Sequence, residues 1–173
     1  QGGLFLTADD SEKLLVRAKE IYDGAIPSGN SVAAGNFLRH ARITGNTTYD
    51  KKADSIFKAF SSQVSRAPSG FNQLMNALDF AVGPSFEIVI AGTPGSSSTG
   101  NMLAMIRKPF LPNAVVLFRS SEDEGKSLAA LAPYTAAMSQ RDDKATAYVC
   151  ENFVCNQPTT DVDQMLENLG LMK

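Results

Sequence analysis

Apolar residues recur at helical spacing through the first half of the chain and in short unbroken runs through the second. Ala34, Phe37, Leu38 and Ala41 lie at i, i+3, i+4 and i+7, the stripe of an amphipathic helix. Gly45 follows where a left-handed residue would end it. Thr47 or Thr48 is the expected cap of a second helix, with the stripe Tyr49, Ala53, Ile56, Phe57, Phe60 and Val64. Pro68-Ser69-Gly70 breaks that helix. Phe71, Leu74, Met75, Leu78 and Val82 make a third stripe, stopped by Gly83-Pro84. Residues 28–82 therefore read as helix, turn, helix, turn, helix. Upstream, residues 2–7 and 14–17 read as two short strands of a hairpin around a polar turn. The opening Gly2-Gly3 has the character of a loop's tail, so the chain is expected to begin inside a larger protein.

The pattern changes at Pro84. Phe86-Glu87-Ile88-Val89-Ile90-Ala91 is rich in β-branched residues and bounded by Pro and Gly, which suits a buried strand. A Gly/Ser/Thr/Pro loop follows over 93–100. Met102, Leu103 and Ile106 predict a helix ending near Lys108, and Ala114-Val115-Val116-Leu117-Phe118 a second buried strand. Strand, loop, helix, loop, strand is the sequence form of a parallel crossover. Residues 120–127 read as a charged loop. Leu128 to Met138 is helical, with Pro133 forcing a kink or a new turn. Thr146-Ala147-Tyr148-Val149-Cys150 reads as a third strand. Thr159 or Thr160 caps a last helix through Leu169, with Gly170 as its stop. The fold class is α+β or mixed: a helical part, residues 1–83, followed by a small α/β unit with parallel strands, residues 84–173.

Charge and composition narrow the function classes. Lys and Arg number 16 against 18 Asp and Glu, a net charge of −2 that offers no footprint for nucleic acid or an anionic membrane. No apolar run approaches the roughly 20 residues of a membrane span, and residues 1–20 lack the pattern of a signal peptide. Two cysteines are too few for a secreted disulfide framework. The expectation is an intracellular, cytoplasmic protein.

Four places carry candidate chemistry. His40, the single histidine, lies on the flank of the first stripe without a nucleophile at triad spacing, and reads as a boundary residue. Cys150 and Cys155 are spaced C-x4-C, whereas redox pairs and zinc sites favour C-x2-C. Apolar neighbours predict two reduced, buried thiols without metal, although a turn over residues 151–154 would bring the sulfurs close. Residues 92–100 join a strand to a helix, where phosphate loops sit. They lack the Gly-Lys-Ser/Thr and Gly-x-Gly-x-x-Gly signatures, so a capped connector is expected and no cofactor is implied. Residues 23–30 offer the strongest candidate. Asp23 is the tentative catalytic carboxylate, with Ser28 and Asn30 as substrate-binding groups on a turn entering a helix. Capping by Ser28 or Asn30, with Asp23 fixing the turn, accounts for the same residues.

Three segments together resemble one family: Asp23-Gly24-Ala25-Ile26-Pro27-Ser28-Gly29-Asn30-Ser31, Phe110-Leu111-Pro112-Asn113, and Ala147-Tyr148-Val149-Cys150-Glu151-Asn152-Phe153-Val154-Cys155 with Pro158-Thr159-Thr160-Asp161. The family, the spermatogenesis-associated thioredoxin-like proteins and their bacterial relatives, joins an N-terminal thioredoxin-like domain to a six-hairpin α/α toroid. The resemblance spans nearly the whole chain and matches the family's C-terminal end. It implies the last helices of a toroid followed by a small α/β unit. It also implies a carbohydrate-acting or carbohydrate-binding role by analogy with N-acylglucosamine 2-epimerases, incomplete in this chain alone. The alternative is a docking or redox-partner module for the thioredoxin-like domain, exchanging through Cys150 and Cys155. The implied partners are a sugar ligand, that domain, the preceding toroid helices and, through the Phe57/Phe60 or Phe71/Leu74 face, a second copy of the chain.

Overall fold

The computed structural model describes residues 2–122 and 126–172. They divide into two units. One holds the described residues through Ala41 together with Asn46–Gly83. The other holds Arg42–Gly45 and the described residues from Pro84 onward. Part of the charged loop expected over 120–127 lies outside the described residues.

The first unit is built on helices α1 (Gly29–Thr44), whose last turn belongs to the second unit, α2 (Thr47–Arg66) and α3 (Asn72–Val82), with a 3-10 turn at Pro68–Gly70. Each helix buries one stripe: Ala34, Leu38 and Ala41 from α1, Ala53, Ile56 and Phe60 from α2, and Leu74, Ala77 and Phe80 from α3. Small residues let α1 and α3 approach, since a Cβ on Gly35 would stand 3.8 Å from that of Ala77. The cap of α2 is Asn46 rather than a threonine, its side chain accepting from the Thr48 amide at 3.0 Å. The Phe57/Phe60 and Phe71/Leu74 faces do not lie open as expected, because Phe60, Phe71 and Leu74 are all buried. The N-terminal segment wraps over part of this core, bringing Gly3 against the Phe60 ring.

That segment is not the expected hairpin of strands. Residues 2–7 and 14–17 have no strand structure; Leu6 N–H donates to Ala18 O, just beyond the second run, at 3.0 Å. Leu14, Leu15 and Val16 are exposed, so the apolar run that suggested a strand has no layer to cover it. Side chains hold the segment instead. Arg17 donates to Thr7 O and Asp9, and the guanidinium of Arg17 and the ammonium of Lys19 both lie over the Phe5 ring.

The second unit is a four-stranded mixed sheet in the order β2-β1-β3-β4, formed by β1 (Phe86–Gly92), β2 (Ala114–Ser120), β3 (Thr146–Glu151) and β4 (Val154–Cys155). β1 and β2 run parallel, joined by helix α4 (Ser97–Ile106) as a crossover; β3 and β4 are antiparallel to their neighbours. Central β1 is covered on both faces, which is why it reads as a continuous apolar run. Ile88 and Ile90 pack with Val149 and Ala147 of β3 under Met102 and Ile106 of α4 and Met165, Leu166 and Leu169 at the C-terminal end. Val89 and Ala91 face the other way, with Tyr148, Cys150 and Met138. Helix α5 (Lys126–Leu131) and a 3-10 turn at Pro133–Thr135 cover that second face through Leu128 and Tyr134, and Pro133 starts the new turn. Helix α6 (Val162–Asn168) is capped by Asp161, not by a threonine, and Gly170 ends it at φ 70°. No helix among the described residues is long and apolar enough to cross a membrane.

Candidate functional site

The 23–30 loop enters α1 in the first unit, and its three candidates are buried within it. Asp23 accepts from the Ser28 amide at 2.8 Å through one carboxylate oxygen and from the Leu74 amide at 3.1 Å through the other. The Ser28 hydroxyl donates to Ser31 Oγ at 2.9 Å and accepts from the Ser31 amide at 3.1 Å, closing the first turn of the helix. Asn30 accepts from the Leu4 amide at 2.5 Å and donates to Leu4 O and Glu20 O. Asp23 and Asn30 therefore fasten backbone from elsewhere in their unit, whereas Ser28 closes its own helix turn. His40 is exposed and lies 5.5 Å, ring to ring, from Tyr49.

The connector after β1 is capped as expected: Ser96 accepts from the Thr99 amide at 3.3 Å. Beside it, at the carboxyl ends of β1 and β2, lies an open pocket of about 230 Å³ lined by Gly92, Arg119, Ser121, Ser139 and Gln140. That is the usual ligand position in a parallel sheet. Thr93 Oγ1 is within 3.0 Å of the Ser121 hydroxyl and 3.1 Å of Gln140 Oε1, so the rim groups bond one another.

The chemistry that sequence reading missed is at the opposite end of the sheet. Cys150 and Cys155 are joined by a disulfide, which corrects the expectation of two reduced, buried thiols. The cause is local. Asn152 and Phe153, at φ 50° and 64°, form the left-handed two-residue turn that matches strand twist. C-x4-C then places the sulfurs directly across the β3–β4 ladder, with Cys150 opposite Cys155. The two ends differ in access: Cys150 is 1% exposed, whereas Cys155 lies on the exposed β4.

The turn is anchored from below by Glu87, which is wholly buried in β1. One oxygen of its carboxyl accepts from the Phe153 amide at 2.7 Å. The other, Oε1, is 3.5 Å from the Arg42 guanidinium and has no hydrogen-bond partner. Arg42 comes from the end of α1, donates to Asn152 Oδ1 at 3.1 Å and lies over the Phe153 ring. Asn152 is bound again by Ser85, through the Ser85 hydroxyl and through its own amide to Ser85 O. Tyr134 completes the ring of contacts, edge-on to Phe153 and donating to Arg42 O at 3.3 Å.

Burial governs the titration of this group. Desolvation pushes the Glu87 carboxyl above its ordinary value; the Phe153 amide and Arg42 pull the other way but do not cancel it. Burial, followed by the nearby Glu87 charge, raises Tyr134 to about 12. A lone carboxylate inside the run Phe86-Glu87-Ile88-Val89-Ile90 was the signal available in the sequence, since a charge in a doubly covered strand requires a partner. Among the described residues no cluster of three or more His, Cys, Asp or Glu could hold a metal ion.

No protein-family model matches the chain. Human spermatogenesis-associated protein 20 is 33% identical over 161 residues, covering 92% of this chain and 20% of that protein. The rat protein of the same name is 32% identical over 161 residues, with the same coverage. Uncharacterized protein B0495.5 of Caenorhabditis elegans is 29% identical over 165 residues, covering 95% of this chain and 22% of that protein. The chain is thus homologous over most of its own length to the relatives that its motifs suggested, and it spans about a fifth of their length.

Proposed function

We propose that this chain is a thiol-responsive module of a larger protein, whose Cys150–Cys155 disulfide exchanges with a dithiol. The donor would be the thioredoxin-like domain that the family resemblance implies. The carrying observation is the asymmetric disulfide: one sulfur at an exposed hairpin end, the other at the sheet's core. Exchange requires in-line access of a thiolate to one sulfur, and the exposed Cys155 supplies it. Reduction frees the two strands at the turn that Glu87, Arg42 and Ser85 grip, so oxidation state and hairpin order are linked.

The test is a redox titration of the folded chain against dithiothreitol and against a thioredoxin-like domain whose second cysteine is replaced by serine. The expected result is reversible two-electron reduction with the fold retained, and a trapped mixed disulfide at Cys155. A folded chain that neither reduces nor traps its partner overturns the reading. Carbohydrate binding through Asp23, Ser28 and Asn30 would have to use groups that also hold their loop. A thermal-shift panel of sugars on the same preparation tests it, because ligand binding raises apparent stability by mass action.

A further inference from the structure

Glu87 and Cys150 are Cα partners across the β1–β3 ladder. Directly opposed residues in an antiparallel pair bring their Cβ atoms within about 5.5 Å on one face. Both residues follow the alternation of the face that holds Val89, Ala91 and Tyr148, so the carboxyl and the inner sulfur share it. Both are buried, Glu87 fully and Cys150 to 1% exposure. Glu87 Oε1 is buried without a hydrogen-bond partner, 3.5 Å from the Arg42 guanidinium, and is the carboxyl oxygen able to carry a proton.

We infer that Glu87 is the proton donor to the Cys150 sulfur when the disulfide is opened, a role that rests on the redox reading above. An external dithiol attacks at the exposed end. Its thiolate lone pair forms a bond to Cys155 Sγ, the Cys150–Cys155 bond breaks, and that electron pair leaves on Cys150 Sγ. A bare thiolate there would be desolvated beside a carboxyl group, which is costly. The proton on Glu87 passes to it, giving a neutral Cys150 thiol and a Glu87 carboxylate. The new charge falls where the Phe153 amide and Arg42 already stand. The dithiol's second thiolate then attacks its own sulfur in the mixed disulfide and releases Cys155 thiolate to solvent. The dithiol is oxidised to its disulfide, the cysteine pair is reduced, and Glu87 recovers a proton from water. Re-oxidation runs the same path backwards, with the carboxylate as base for Cys150.

The charged and titratable groups that the structure sets against Glu87 support the assignment. Arg42 approaches from the end of α1, Tyr134 from the 3-10 turn, and Cys150 from β3. Arg42 stabilises the product carboxylate. Tyr134, held protonated far above neutrality, adds no negative charge to oppose it. Burial raises the affinity of Glu87 for its proton, which fits it to donate nearer neutrality than a surface carboxyl.

The experiment measures reduction of the folded chain by dithiothreitol from pH 5 to 9, each rate divided by the concentration of dithiothreitol thiolate. The expected wild-type profile falls at least tenfold as pH rises through the titration of Glu87. Glu87→Gln removes that limb and lowers the acidic plateau by the same factor. A normalised wild-type rate that is flat with pH, or a folded Glu87→Gln chain with the wild-type profile, overturns the proton-donor role and leaves the redox reading standing. A folded wild-type disulfide that resists dithiothreitol throughout overturns both. The wild-type profile decides the matter even where Glu87→Gln does not fold.

Discussion

Asp23 Oδ2 accepts the Leu74 amide proton at 3.1 Å, tying a loop to the first turn of a helix 51 residues further along the chain. The other oxygen holds Ser28, so one buried carboxylate satisfies two backbone donors. Asp23→Ala leaves both unsatisfied and is expected to cost about 3 kcal/mol, since each buried orphan donor costs roughly 1–3 kcal/mol. Asp23→Asn keeps one acceptor and turns an amide donor on the other amide, at about 1–2 kcal/mol. Urea unfolding midpoints of the two variants check this order. A stability unchanged in Asp23→Asn would return the residue to ligand binding.

Acidity and stability are linked through Glu87. Its folded value lies above the ordinary 4.5, so between those values the folded chain keeps a proton that the unfolded chain has lost. Stability from this group is therefore greatest in acid and falls as pH rises through that window, levelling above it. Tyr134 repeats the behaviour between 10.0 and about 12, where the folded state again binds more protons. The difference in unfolding free energy between wild type and Glu87→Gln, measured from pH 4 to 8, should decline as pH rises through that window.

Cutting the disulfide has a separate cost. Cys155→Ser removes a crosslink over a sequence separation of 5, for which loop-closure entropy gives about 2 kcal/mol. Because Cys155 is exposed, little packing is lost with it. Reduced wild type should fall to the same stability, which paired denaturation curves with and without dithiothreitol would reveal.

Gly92 ends β1 where the Thr99 hydroxyl and the Ala145 backbone close in, and a Cβ there would collide with the Thr99 oxygen. Gly92→Ala should cost about 1–3 kcal/mol, the usual range for overpacking. Thr99→Ser in that background keeps the hydroxyl and should rescue little, whereas Thr99→Ala should recover most of the loss.

Periodicity located all three helices because their burial is one-sided, and every buried residue of α2 stands in the stripe read from sequence; in α3 only Leu74 does, since Ala77 and Phe80 are buried outside that stripe and Val82, within it, is exposed. Caps were less legible, since Asn46 competes with Thr47 and Asp161 with Thr160, and all are good N-caps. The strand character of β1, β2 and β3 showed in their β-branched runs, and the crossover pattern gave the parallel β1–β2 pair, but the antiparallel pairing of β1 with β3 is non-local and left no mark in any window. The 14–17 run misled for the opposite reason, being apolar without a partner layer. At the candidate site the burial of Cys150 was legible from its neighbours. The disulfide was not, because it depends on a left-handed conformation at Phe153, which side-chain type alone argues against.

The outermost position of β2 has a consequence for handling the protein in solution. The strand is seven residues long and carries Val116 and Phe118 at 45% and 37% exposure, without the lysine or proline that commonly blunts an edge. A strand at the edge of a sheet presents backbone groups that can template another extended chain. Turbidity at high concentration should therefore begin here, independently of the melting temperature, and Val116→Lys should raise the solubility limit without moving the melting transition.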